Sequence, residues 1–210
     1  MKTIKVCAVL LIPLLFTGCL DIFHSLSIHD GEIDLAVRYT VQTALVHMIN
    51  EFSDEEIDVT ELLHEAESII PAYDGFSLDV KKIETSFHTG AEVRIRGSMD
   101  KVKAHNEQGL LLPIRNTDHY SILIPSMAGE EELDSMAAVF LSGAKYTMLI
   151  DLSGDLQDIK EARLKYDGKI MHPDDEDSQI LVSIYGSSML IEIPMLFLLY
   201  APENFSLELY

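Results

Sequence analysis

Hydrophobic and polar residues alternate with a period of two over much of this chain. The clearest case lies between positions 33 and 41, where every second residue is apolar: Ile33, Leu35, Val37, Tyr39 and Val41. This pattern predicts a strand with one buried face and one solvent face. A second strand is predicted over 22–29. The dipeptide Asp30-Gly31 between them favours the type I′ turn of a β-hairpin.

Shorter alternating segments, separated by polar or glycine-containing stretches, continue along the chain. They predict strands at 76–87, 91–99, 110–115, 119–124, 146–152 and 180–184, a turn at His88-Thr89-Gly90, a hairpin at 164–170 around Asp167-Gly168, and a short edge strand at 204–210. Hairpin-sized connections join several of these segments, so we expect mostly antiparallel pairing.

Two segments have the helical period instead. A helix is predicted at about 59–70, because Asp58 and Glu61 have the capping-box spacing and Pro71 stops the run. A second is predicted between 130 and 142, with acidic residues at its start and Gly143 after its end. The stretch 43–52 fits either a strand continuation or a helical turn.

The order of these elements predicts an α+β fold, a mostly antiparallel β-sheet with two amphipathic helices packed on it. The segment 189–200, MLIEIPMLFLLY, is apolar on both faces. It is too short to cross a bilayer, which takes roughly 20 residues. It fits a strand buried on both faces, or a segment that contacts lipid or a ligand.

The N-terminus follows a different pattern, MKTIKVCAVLLIPLLFTGC, with two lysines, an apolar run and a cysteine at position 19. It resembles the signal peptide and lipobox of bacterial lipoproteins. The resemblance implies cleavage after Gly18 and acylation of Cys19. We therefore expect a signal peptide at 1–18, a short lipidated linker at 19–21 and a single α+β domain at 22–210. The resemblance also implies the outer membrane, because lipoproteins retained in the inner membrane of enteric bacteria have an aspartate where this chain has Leu20.

The charge balance restricts the partners. The full chain has a formal charge of −20, and removal of Lys2 and Lys5 with the signal peptide makes it −22. Such a chain repels nucleic acid and anionic lipid headgroups, so we exclude nucleic-acid binding and assign membrane attachment to the acyl chains. The only other cysteine, Cys7, lies in the signal peptide, so the mature domain has no disulfide.

Metal binding receives little support from the sequence. His24 and His29 are five residues apart on a predicted strand and therefore face opposite sides. The densest charge cluster follows Pro173, and its weak candidate ligands are His172, Asp174, Asp175, Glu176 and Asp177. Consecutive carboxylates in one loop cannot all turn inward toward a cation, so a solvated loop is the favoured interpretation and no metal is expected.

Catalytic motifs are missing as well. The sequence contains no G-x-S-x-G, no H-E-x-x-H and no glycine-rich phosphate loop. We therefore expect a protein that is not an enzyme and has no cofactor.

The segment 143–186 has a recognisable order of features. A strand that starts at Tyr146 ends at Ser153-Gly154, a hairpin follows around Asp167-Gly168, and an acidic loop leads to a closing strand. This order, with the early strand–Asp-Gly–strand unit, resembles the LppM-like domain of bacterial envelope lipoproteins. The resemblance implies an α+β domain that binds lipids or acts at the envelope surface, and it implies no residue-specific site.

Two functions are predicted, of which the sequence favours the first. The first is a membrane-anchored envelope lipoprotein that binds a lipid or another hydrophobic molecule. The second is a structural or assembly lipoprotein that docks a protein partner in the envelope through strand edges or its acidic surface. A closed apolar cavity would favour the first, and a filled core with an exposed patch would favour the second.

Overall fold

The computed structural model describes residues 20–52, 75–105, 112–124, 141–166, 169–173, 180–200 and 205–210. Within these ranges the chain forms twelve strands: β1 Leu20–His29, β2 Glu32–Gln42, β3 Phe76–Glu84, β4 His88–Ser98, β5 Pro113–Arg115, β6 Tyr120–Ile124, β7 Lys145–Asp151, β8 Ala162–Tyr166, β9 Lys169–Met171, β10 Leu181–Tyr185, β11 Ser188–Pro194 and β12 Phe205–Leu209. They build a seven-stranded and a five-stranded sheet.

The larger sheet has the strand order β10-β11-β7-β1-β2-β4-β3. Strands β1 and β2 form the predicted hairpin, with Leu20 opposite Val41 and His29 opposite Glu32. Asp30 and Gly31 both have positive φ, 51° and 75°, as a type I′ turn requires. Strands β1 and β7 pair in parallel, whereas the other pairs in this sheet are antiparallel.

The smaller sheet has the order β5-β6-β12-β8-β9 and is antiparallel throughout the described residues. Strand β12 lies in its centre, with Leu207 opposite both Ile122 and Leu164. The prediction of an edge strand at 204–210 is therefore wrong. The hairpin predicted around 167–168 is confirmed by the pairing of β8 with β9.

One hydrophobic core joins the inner faces of both sheets. In β1 the buried residues are every second one, as a period of two dictates: Ile22, His24, Leu26 and Ile28. Ile150, Met189 and Ile191 continue this face across the larger sheet, and Ile122, Leu164 and Leu207 face them from the smaller one. All six side chains are at most 1% exposed, so this part of the core is filled.

The predicted α+β class is wrong, because the described residues are mostly β-strand in two sheets and carry no amphipathic helix packed on a sheet. Three short helices, α1 Thr43–Phe52, α2 Met99–His105 and α3 Met195–Tyr200, each begin at the residue after a strand. The helix predicted at 59–70 lies outside the described residues, and so does the one at 130–142 except for its last two positions.

The structure decides one open alternative and differs from the predictions in two further details. The stretch 43–52, predicted as either strand or helical turn, is helical. The turn expected at 88–90 lies earlier, because His88 already starts β4. The apolar segment 189–200 is not one strand buried on both faces: β11 alternates between buried and half-buried residues, and α3 follows Pro194.

Candidate functional site

The two ends of the larger sheet differ in the residues that they present. The described part of the chain begins at one of these ends, with Leu20. Leu20 pairs with Val41, and Val41 pairs with Thr89, so these residues form one row across the sheet. Cys19 and Gly18, the predicted lipidation and cleavage residues, lie outside the described residues. Since Cys19 is bonded to Leu20, the predicted acyl anchor belongs to this end, which we call the anchor end.

Helices α1 and α3 also start at the anchor end. The backbone N–H of Met195 donates to the Ala144 carbonyl oxygen at 2.9 Å, and Ala144 directly precedes Lys145, the partner of Asp21. The backbone N–H of Thr43 donates to the Phe87 carbonyl oxygen at 2.9 Å. Both helices therefore leave the sheet beside Leu20.

The turn between β3 and β4 presents Phe87 to solvent, with 75% of the residue exposed. The Thr85 hydroxyl oxygen accepts hydrogen bonds from the backbone N–H groups of Phe87 at 3.3 Å and His88 at 2.9 Å. The backbone N–H of Thr85 donates to the His88 carbonyl oxygen at 2.8 Å. The turn is thus fixed by its own hydrogen bonds, and the aromatic ring projects from it.

The opposite end, which we call the far end, contains the Asp30-Gly31 turn and an open cleft of about 790 Å³ between the two sheets. Three carboxylates line this cleft, those of Asp100, Asp118 and Asp155. The Asp155 carboxylate accepts a hydrogen bond from the Gly31 backbone N–H at 2.7 Å. His119, 2.8 Å from Asp118, lowers the pKa of that carboxyl. The cleft is therefore polar and carries negative charge.

A fourth carboxylate, Asp151, lies at the same far end. It accepts hydrogen bonds from the Ser153 hydroxyl at 2.7 Å and the Ser153 backbone N–H at 2.8 Å, which lower its pKa. His29 lies 3.4 Å from its other oxygen. His29 is half-exposed while His24 is buried, so the prediction that these two histidines face opposite sides is confirmed.

His24 forms a buried polar pair with Tyr146 in the core. Its Nδ1 atom lies 2.6 Å from the Tyr146 hydroxyl oxygen. Burial lowers the pKa of His24 to about 3 and raises that of Tyr146, so both side chains are neutral near pH 7. The His24 Nε2 atom has no hydrogen-bond partner among the described residues.

The predicted metal candidates are not brought together in the part that the structure describes. His172 lies beside Glu161, with 3.3 Å between Nδ1 and the carboxylate oxygen. Asp174, Asp175, Glu176 and Asp177 lie outside the described residues. Across the described ranges, no group of three or more histidine, aspartate, glutamate or cysteine side chains is arranged to hold a metal ion.

Sequence reasoning missed three features of these sites: the exposed Phe87, the carboxylate cleft and the His24–Tyr146 pair. The period-two pattern does place His24 on the apolar face of its strand, and that signal marks it as a buried histidine. The cleft gave no such signal, because Asp100, Asp118 and Asp155 belong to three separate segments that only the fold brings together.

Comparisons with known proteins add no relative. No family model, no curated protein and no solved structure matches this chain. The lipobox and LppM-like resemblances therefore stay predictions. None of the described helices has the length and apolar character needed to span a membrane.

Proposed function

We propose that this chain is a non-enzymatic envelope lipoprotein that docks a basic protein partner at its far end. In this proposal residues 1–18 are removed, Cys19 carries the acyl chains, and the domain is held at the outer membrane. The observation that carries the docking role is the open cleft with the Asp100, Asp118 and Asp155 carboxylates, at the end of the sheet opposite Leu20.

Charge complementarity supports a basic partner. A lysine- or arginine-rich segment would gain from several carboxylates at once, and the formal charge of −22 on the mature chain would speed the encounter. Among the described lining residues Arg115 is the only arginine or lysine, so negative charge dominates in the cleft.

Binding of a lipid or another hydrophobic molecule, the other function predicted from sequence, has less support. The described inner-face side chains fill the core between the sheets. The cleft is open, and charged and polar residues line it together with Met99, Val102, Ile114 and Tyr120. An apolar ligand needs a concave, mostly apolar cavity. Lipid that stays bound to the delipidated domain in native mass spectrometry would reverse this preference.

Site-specific photocrosslinking in intact cells tests the docking role. A photoreactive amino acid at Thr117, on the exposed rim of the cleft, should capture a protein through a basic peptide. The adduct should disappear in the double variant Asp100→Asn/Asp118→Asn. A probe at Glu84, whose side chain is 72% exposed at the anchor end, is the matched control and should capture much less. No adduct at 117, or one that both asparagines leave unchanged, contradicts the docking role.

The anchor has a separate test. Metabolic labelling with a palmitate analogue should mark the wild-type chain and not Cys19→Ala. Label that is retained in Cys19→Ala would contradict acylation at this cysteine.

A further inference from the structure

We infer that the anchor end lies directly against the lipid surface, with the Phe87 ring inserted at the boundary between headgroups and acyl chains. This inference rests on the proposed acylation of Cys19. It adds a second, non-covalent contact, which fixes the orientation of the domain in addition to holding it near the membrane.

The register of the larger sheet places Phe87 near the anchor. Leu20, Val41 and Thr89 form one row, and two strand spacings of about 4.8 Å put Thr89 roughly 10 Å from Leu20. Phe87 precedes Thr89 by two residues and lies in the turn beyond the row. A lipid-linked residue next to Leu20 therefore brings the membrane surface to Phe87 without any change in the fold.

The Phe87 ring is available for contact with lipid. It is 75% exposed, and the turn that carries it is fixed by the Thr85 hydrogen bonds. An aromatic ring held out in water loses the gain from burial, and phenylalanine is among the residues that segments lying at the membrane interface bury in the lipid. The lipid bilayer is the one partner that the predicted anchor already brings to this position.

The neighbouring elements are consistent with lipid contact. Helix α3, MLFLLY, is apolar in sequence and starts beside Ala144 at this end. Its Met195 and Leu198 side chains are buried in the core, and Leu196 and Phe197 are half-buried. Two of the carboxylates here are paired with lysines, Glu84 with Lys82 at 3.1 Å and Glu192 with Lys145 at 3.0 Å. The described residues of β1 and α1 add two exposed carboxylates at this end, those of Asp21 and Glu51.

The far-end carboxylates do not oppose this orientation. Strand β1 has ten residues, so the far end is about 30 Å from Leu20. Repulsion between exposed charges is screened beyond about 8–10 Å at physiological ionic strength. With the anchor end on the lipid, the cleft points away from the membrane, where a protein partner can reach it.

The chain contains no tryptophan, so one introduced tryptophan is a unique fluorescent probe. Phe87→Trp and Tyr185→Trp form a matched pair: the parent residues are 75% and 69% exposed, and Tyr185 lies at the far end, near Ser188 and Asp151. Each full-length acylated variant is reconstituted into vesicles of phosphatidylethanolamine and phosphatidylglycerol with brominated acyl chains. Bromine quenches tryptophan only at close range.

We expect at least about twofold quenching at position 87, with a blue-shifted emission, and no quenching at position 185. Mass spectrometry of the same samples reports acylation independently. An acylated chain with tryptophan 87 unquenched, or with both positions quenched equally, overturns the orientation but leaves the proposed function intact. A chain without acyl mass overturns the proposed anchor and this inference together.

Discussion

The Nδ1 atom of His24 and the hydroxyl oxygen of Tyr146 are 2.6 Å apart in the core, across the parallel pairing of β1 with β7. Tyr146 lies opposite Ile22, so His24 is its diagonal neighbour two positions along β1. The two rings meet nearly edge-on, with an interplanar angle of 77°. This hydrogen bond crosses 122 residues of sequence and ties β1 to β7, its parallel neighbour in the larger sheet.

Tyr146→Phe should destabilise the protein by about 1–3 kcal/mol, because it removes the only described partner of a fully buried imidazole. Urea unfolding followed by circular dichroism measures the loss. Tyr39→Phe is the matched control, since Tyr39 is only partly buried and should tolerate the change.

The double variant His24→Leu/Tyr146→Phe sharpens this prediction. When both polar partners become apolar, no buried group is left unpaired. The double variant should therefore lose less unfolding free energy than the two single variants lose together. If the two losses of unfolding free energy simply add, the coupling energy of the two side chains is zero, which would contradict this prediction.

Stability should fall as the pH is lowered from about 6.5, by up to about 1.4 kcal/mol per pH unit. The sign follows from His24, whose folded-state pKa of about 3 lies below its ordinary value of 6.5. Between these values the unfolded chain takes up a proton that the folded chain does not. The contribution of His24 to the unfolding free energy is fully present above pH 6.5 and is lost progressively toward pH 3.

Comparison with His24→Leu over the range from pH 6.5 to 4.5 isolates this effect. The carboxyl groups with lowered pKa values, Asp34, Asp118, Asp151 and Glu161, lose their contributions at lower pH. Urea midpoints at several pH values check the slope, and His24→Leu should reduce it. An equal slope in His24→Leu would assign the acid sensitivity to other groups.

The strands were predictable because one buried face imposes a period of two on local sequence. Ile33 to Val41 and the Asp30-Gly31 turn carry that information within a few residues. The position of β12 was not predictable, because its partners β6 and β8 lie far away along the chain. The apolar run 189–200 has no period, so the change from β11 to α3 at Pro194 leaves no clear trace in the pattern.

The candidate sites divide in the same way. Acylation of Cys19 stays a prediction, and it can be made because export and acylation signals are read from continuous sequence. The His24–Tyr146 pair depends on the parallel pairing of two strands, and the far-end cleft depends on how two sheets meet. Phe87 looked like an ordinary strand residue until the turn was located at 85–87 instead of 88–90.

Gly90→Ala should cost about 3 kcal/mol, because a methyl group there would collide with the Tyr39 carbonyl oxygen and lie 2.9 Å from the Thr40 Cα atom. Both contacts are backbone in the paired strand β2, which cannot move without breaking its register. Gly186→Ala is the control: it has open space, and its positive φ costs only about 1 kcal/mol. Equal losses of unfolding free energy would contradict the steric argument.

Strand β10 should make the unacylated chain self-associate. It is the outermost strand of the larger sheet at one edge, and Leu181, Ile184 and Tyr185 are 54%, 48% and 69% exposed. An exposed apolar edge strand offers free backbone groups to a second copy, and a lysine on it blocks that pairing. In a Cys19→Ser background, Ile184→Lys should raise the concentration at which light scattering detects association by about tenfold. Ile170→Lys, on edge strand β9 of the smaller sheet and 45% exposed in the parent, should change it little. If both lysines raise this concentration equally, association depends on net charge and not on β10.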